Sequence, residues 1–216
     1  MRSDIAALPL LGGFNAIVLA AQAVAWGGIE SLARGMVPAA LAILSLGMVL
    51  EIVTQRGDRV LTMPCGFEGW AATLLNSIQG VCLLAGLQLA LAMGGAQMPG
   101  GACIASGMGV LVGGFLLRLT AIRALGPAFG DGFSPVSGDR IAQGPYRFCR
   151  HPAEAGLLLL PIGTAALVGA GNTLPFVMPP LVLCSMARIL AEEMSFRREY
   201  SGRPSRGNPL AGPGGH

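Results

Sequence analysis

Six apolar stretches, each near the length a helix needs to cross a bilayer, dominate this chain and limit what it can fold into. Their approximate bounds are Leu8 to Gly27, Met36 to Val53, Trp70 to Met93, Gly101 to Ala124, Pro152 to Ala170 and Thr173 to Leu190. A hydrocarbon-spanning helix takes about 20 apolar residues, because no backbone polar group can go unpaired in lipid. Composition points the same way: 53% of the residues are apolar, 12% are charged, and mean hydropathy is +0.64. A water-soluble domain carries about 25% charged residues. The sequence therefore predicts an all-α, polytopic integral membrane helical bundle of about six transmembrane helices.

All 14 basic residues are arginines, and their distribution sets an orientation. With six spans and the N-terminus inside, Arg2, Arg56, Arg59, the set from Arg118 to Arg150 and the set from Arg188 to Arg206 fall on the cytoplasmic side. Arg34 alone is left outside, as positive-inside topology requires. Both termini are expected in the cytoplasm, in a bacterial inner membrane or its equivalent. The first stretch has no evident small-residue cleavage site and is read as a retained span. Arg118, Arg123 and Arg188 lie near the ends of their stretches and are expected to snorkel outward. Gly109 and Gly113 have the G-x-x-x-G spacing of close helix packing.

Several functional classes are excluded by count or by placement. The net charge of +3 is small and the arginines flank apolar spans, so anionic headgroups are expected partners and nucleic acid is not. Five cysteines without a C-x-x-C pair argue against a disulfide or zinc framework. His151 and His216 are the two histidines, too few for a multi-histidine metal site, so no metal is expected. The first, third and fifth stretches hold essentially no ionisable residue away from their ends, which weakens a pump or coupled transporter.

Polar residues concentrate instead in two places: Gly144-Pro145-Tyr146-Arg147-Phe148-Cys149-Arg150-His151-Pro152, and the run from Ala191 to Tyr200 with Glu192 and Glu193. Pro152 suits the first position of a helix, where its fixed φ is helical and its missing N–H would have had no partner. Arg150 and His151 then stand at a helix mouth, where free backbone donors and the dipole favour a carboxylate or phosphate. From spacing alone, an arginine cluster that holds lipid headgroups and fixes topology is the more ordinary reading. Glu192 and Glu193 extend the last span as a polar helix. One could meet a ligand, or Arg188–Glu192 and Glu193–Arg197 could be i,i+4 pairs that merely support the helix.

At these residues the chain resembles the isoprenylcysteine carboxyl methyltransferase family and the related bacterial phospholipid methyltransferases. The resemblance is carried in order by Gly144-Pro145-Tyr146, Arg150-His151-Pro152 with Gly156, and Glu192-Glu193, with an upstream piece from Leu117-Arg118 to Leu125-Gly126. It spans roughly residues 115 to 200. It implies an S-adenosylmethionine-dependent membrane methyltransferase with a C-terminal hairpin bearing the cofactor site at the cytoplasmic face. The cofactor carboxylate would meet Arg150 and His151, and a glutamate of the pair would meet its ammonium or ribose hydroxyls. Tyr146 would pack beside it, with Gly144 and Pro152 shaping the site and Arg150 and Glu193 as catalytic residues. The acceptor would be lipophilic: a prenylcysteine-like carboxylate, a lipid amine, a thiol or a phenol.

Departures from the family pattern bear on that acceptor. Ala153-Glu154-Ala155 follows Arg-His-Pro where an aromatic residue is common, and Glu154 adds negative charge near the expected anion site. Two other classes stay open: a membrane reductase of the sterol-reductase type using NADPH, and a non-enzymatic scaffold or transporter. The chain divides into N-terminal transmembrane helices (1–100), a methyltransferase-like core (101–200) and a glycine- and proline-rich tail (201–216).

Overall fold

Backbone groups in lipid must be satisfied within their own segment, and the secondary structure obeys this rule. A computed structural model describes residues 21, 24, 35–55, 66–93, 99–126 and 143–202, and among them every regular element is helical. Five helices follow one another: α1 (Val37–Gln55), α2 (Gly66–Met93), α3 (Gly101–Leu125), α4 (Pro152–Val168) and α5 (Leu174–Gly202). A 3-10 turn, Gly144–Arg147, leads into α4, and a second, Gly171–Thr173, joins α4 to α5. The expected first span lies outside the described residues apart from Ala21 and Val24, as does the tail beyond Gly202, the last residue of α5.

Two segments among the described residues, Gly101–Leu125 and Gly171–Met194, are long and apolar enough to cross a membrane. Three further apolar helical stretches, Val37–Glu51, Ser77–Met93 and Pro152–Val168, are shorter. The fifth expected span is short because Gly169, in the left-handed region at φ 73°, caps α4 after 17 residues. At 1.5 Å per residue that is about 26 Å, a little less than a hydrocarbon core of about 30 Å. Only 28% and 17% of the two longer apolar windows are buried within the protein, so these are not the enclosed core helices of a water-soluble domain. Their outward faces carry exposed Val112, Leu116, Leu183 and Leu190, a surface that calls for an apolar solvent.

Packing sets α3 against α4 most intimately, with α5 along α2 and α1 along α3. Leu44, Leu87, Leu91, Leu111, Phe115, Leu160, Leu167 and Val168 form the buried core where these helices meet. Glycines bring α3 and α4 together, but not the pair that sequence spacing suggested. No heavy atom lies within 4 Å of a Cβ built on Gly109 or Gly113. A Cβ on Gly156, by contrast, would stand 2.6 Å from the Gly114 carbonyl oxygen, and one on Gly163 would stand 2.5 Å from Leu111 N. Gly107 and Gly114 on α3, like Gly156 and Gly163 on α4, are seven residues apart, which is about two turns and so one face.

This contact yields a first prediction. Gly156→Ala should cost about 1–3 kcal/mol, since backbone rather than a movable side chain must give way. Gly113→Ala should leave stability unchanged or improve it by up to about 1 kcal/mol through helix propensity. Thermal unfolding in detergent measures both, and equal effects at the two positions would contradict the packing described here.

Candidate cofactor and active site

The segment before α4 is shaped by one backbone requirement. Gly144 has φ +58°, in the left-handed region, while a Cβ there would meet only Ala124 at an ordinary 3.6 Å; conformation, not space, is what calls for glycine. From it the 3-10 turn runs on, with the Tyr146 N–H donating to the Gln143 carbonyl and the Cys149 N–H to that of Pro145. The turn packs on α3. Pro152 takes the first helical position of α4, and His151 is the residue that caps it.

His151 meets both members of the acidic pair on α5. Its Nδ1 lies 3.5 Å from Glu192 Oε2 and its Nε2 lies 3.6 Å from Glu193 Oε1. Successive residues on a helix differ by about 100°, so the two carboxylates approach different edges of the ring. Glu192 also accepts a hydrogen bond from Arg188 Nε at 3.2 Å, the i,i+4 pair expected from sequence. Arg188 Nη1 in turn sits 3.3 Å from Oε1 of Glu154 in the first turn of α4. Glu154 is buried, and Gln79 of α2 donates from Nε2 to Glu154 Oε2 and to Ser185 Oγ, the latter at 2.8 Å. An alternating series results: Glu154, Arg188, Glu192, His151, Glu193.

Arg150, His151 and Glu193 line one cleft with Ile189, Leu190 and Met194. Its volume is about 460 Å³, within the range of about 300–1,000 Å³ usual for small-molecule sites. Of the residues expected to hold a cofactor, these three reach the cleft. Glu192 is engaged by Arg188 and His151, while Gly144, Tyr146 and Pro152 shape the turn and the helix mouth. The two nitrogens of His151 address carboxylates, and the guanidinium at the cleft is that of Arg150. The other expected i,i+4 pair involves Arg197, whose side chain lies outside the described residues, and Glu193 turns to His151.

Local electrostatics follow from these contacts. Burial, then the carboxylate of Glu192, pushes the Tyr146 hydroxyl up to about 12, so it remains a hydrogen-bond donor at neutral pH. The hydrogen bond to Glu192 holds His151 above its ordinary 6.5, outweighing the opposing effect of burial. A base whose folded value is raised contributes stability that is full below its unfolded value and lost as pH rises through the folded one. Thermal stability should therefore decline as pH climbs through a point above 6.5. The decline should be absent from His151→Gln; the same slope in the variant would assign it to another group.

A second polar contact went unforeseen. Arg118 of α3 donates to Glu51 of α1 in a two-point fork, Nε to Oε2 at 2.8 Å and Nη2 to Oε1 at 2.7 Å. Its Nη1 donates to the Ala153 carbonyl at 3.2 Å. Arg118 and Arg188, expected to snorkel outward, turn inward, because a carboxylate on another helix answers each charge. The extra negative charge of Glu154 is answered likewise, by Arg188. The available signal was that ionisable residues beside membrane spans usually have partners, but sequence spacing does not identify them.

Residues 102–203 match the family model for phospholipid methyltransferase. No curated protein and no solved structure matches the chain. Every residue lining the cleft falls inside the matched segment, whereas Glu51 and Gln79 lie before it. The cleft, and the acidic pair that brackets His151, thus lie within the segment that is similar to the phospholipid methyltransferase family, residues 102–203.

Proposed function

We propose that this protein is an integral membrane methyltransferase that uses S-adenosylmethionine to methylate a lipophilic acceptor, with the cofactor bound in the Arg150–Glu193 cleft. The observation carrying this reading is that a guanidinium and a carboxylate line one cleft of small-molecule size. Their chemistry fits the cofactor: Arg150 suits its carboxylate, and Glu193 suits its ammonium or ribose hydroxyls. Ile189, Leu190 and Met194 offer apolar wall to the remainder. When bound, the cofactor supplies a methyl group already activated by its sulfonium.

What remains for the chain is to align and to exclude water. Arg150 and Glu193 orient from opposite charges, and His151 steadies Glu193 from 3.6 Å. A carboxylate or thiolate acceptor needs no base; an amine must lose a proton, and Glu193 is the carboxylate at the cleft able to take it. Leu190 and Met194 are both lining and exposed, which supports entry of a lipid-tailed acceptor from the bilayer side. The cytoplasmic position of the site and of both termini is part of the same proposal, resting on the arginine distribution.

Purified protein in lipid, supplied with methyl-labelled S-adenosylmethionine and a host lipid extract, should bind the label saturably and yield a labelled lipid identifiable by mass. Saturable NADPH binding without S-adenosylmethionine binding would replace this reading with the reductase. Binding of neither would leave a scaffold or transporter.

A further inference from the structure

The matched methyltransferase segment does not hold its own site unaided. Two side chains from the N-terminal half bear on the first turn of α4, directly after His151 and Pro152: Gln79 by its own contact and Glu51 through Arg118. Glu51 grips Arg118, whose third N–H holds the Ala153 carbonyl. Gln79 reaches the next residue, Glu154, and Ser185 on α5. Adjacent residues of one turn are thus tied to two different N-terminal helices.

Gln79 is the more informative of the two. It is 3% exposed, on a helix whose neighbouring buried positions are filled by Leu87, Ala90 and Leu91. An amide in such surroundings is costly unless bonded, and an aliphatic side chain would fill the space without that cost. Its Nε2 spans a carboxylate on α4 and a hydroxyl on α5, and so joins the two helices that bear the site. Being neutral, it leaves Arg188 as the charge that answers Glu154. Arg188 carries the connection to Glu192, and Glu192 carries it to His151 beside Glu193.

We infer that Gln79 is a positioning residue of the cofactor site: by holding Glu154 against Ser185 it sets Arg188, and through Arg188 and Glu192 it sets His151 and Glu193 at the cleft. The consequence for cofactor binding rests on the function proposed above; the consequence for the geometry of His151 does not. The N-terminal helices are then a working part of the site as well as a membrane anchor.

The test uses full-length protein in lipid nanodiscs, as wild type, Gln79→Leu and Gln79→Asn. His151 and His216 are the two histidines, so imidazole titration can be followed by NMR without cofactor. The groups facing His151 are Glu192 and Glu193, with Glu154 beyond them. In Gln79→Leu, Glu154 is no longer steered to Arg188, which falls more fully to Glu192 and weakens that carboxylate's hold on the ring; His151 should titrate lower than in wild type. Affinity for S-adenosylmethionine should fall about tenfold, the usual consequence of one lost buried hydrogen-bond partner, with Gln79→Asn in between.

Wild-type titration of His151 in a folded Gln79→Leu protein would overturn the inference, whatever its melting temperature, because a purely packing role moves stability alone. If the leucine variant does not fold, the same comparison on Gln79→Asn decides. If wild type does not bind S-adenosylmethionine but the His151 titration moves as stated, the methyltransferase reading fails and the positioning role stands.

Discussion

Replacing Arg118 with leucine is expected to destabilise the protein by about 3–5 kcal/mol, the usual cost of breaking a buried ion pair by removing one member. The guanidinium side chain is 11% exposed and that of Glu51 is 18% exposed, so water screens the pair little. Three contacts are lost together: two to Glu51 and one to the Ala153 carbonyl. Taking the guanidinium away leaves the Glu51 carboxylate with fewer charge-assisted contacts in the same buried place, and that loss adds to the missing attraction. The double variant Arg118→Leu/Glu51→Leu should therefore be more stable than the single one, since the carboxylate that loses the two-point fork is removed with it. Denaturation in detergent micelles measures all three proteins. A double variant no better than Arg118→Leu would show that the loss of packing, or of the contact to Ala153, outweighs the contacts that the carboxylate loses.

Removal of either charged wall of the cleft is expected to weaken S-adenosylmethionine binding by roughly 100-fold, the equivalent of about 3 kcal/mol for one charge-assisted contact. Arg150→Ala and Glu193→Gln should both do so. Arg150 is exposed, so its loss should leave melting behaviour nearly unchanged and act on the ligand alone. Glu192→Gln should behave differently: Glu192 accepts from Arg188 and faces His151, so its variant should lose stability together with affinity. Calorimetric titration beside thermal melts separates the two patterns. If Arg150→Ala and Glu193→Gln bind the cofactor as wild type does, this cleft is not its site.

Residue types and order were enough to single out Arg150, His151, Glu192 and Glu193 as candidates, because those residues sit where apolar helices end and because their succession resembles a known family. The i,i+4 pairing of Arg188 with Glu192 was legible for the same reason: it depends only on the pitch of one helix. The division of labour within the acidic pair was not. Which glutamate lines the cleft depends on the rotation of α5 against α4, and that rotation is set by contacts such as Gln79 with Glu154 and Ser185. Nor could spacing choose among glycines. Gly109 and Gly113 have the more familiar pattern, yet Gly114 and Gly156 meet, because the facing side of α3 is chosen by the shape of α4.

Local rules act over a few residues, and by themselves they determined the all-helical architecture, the placement of polar residues at helix ends and the Pro152 start of α4. Pairings across many tens of residues were decided only in three dimensions: Glu51 with Arg118, Gln79 with Glu154, and His151 with both glutamates. The physical reason is that a charge or amide held among apolar helices must find a partner, while nothing in its own neighbourhood says on which helix that partner lies.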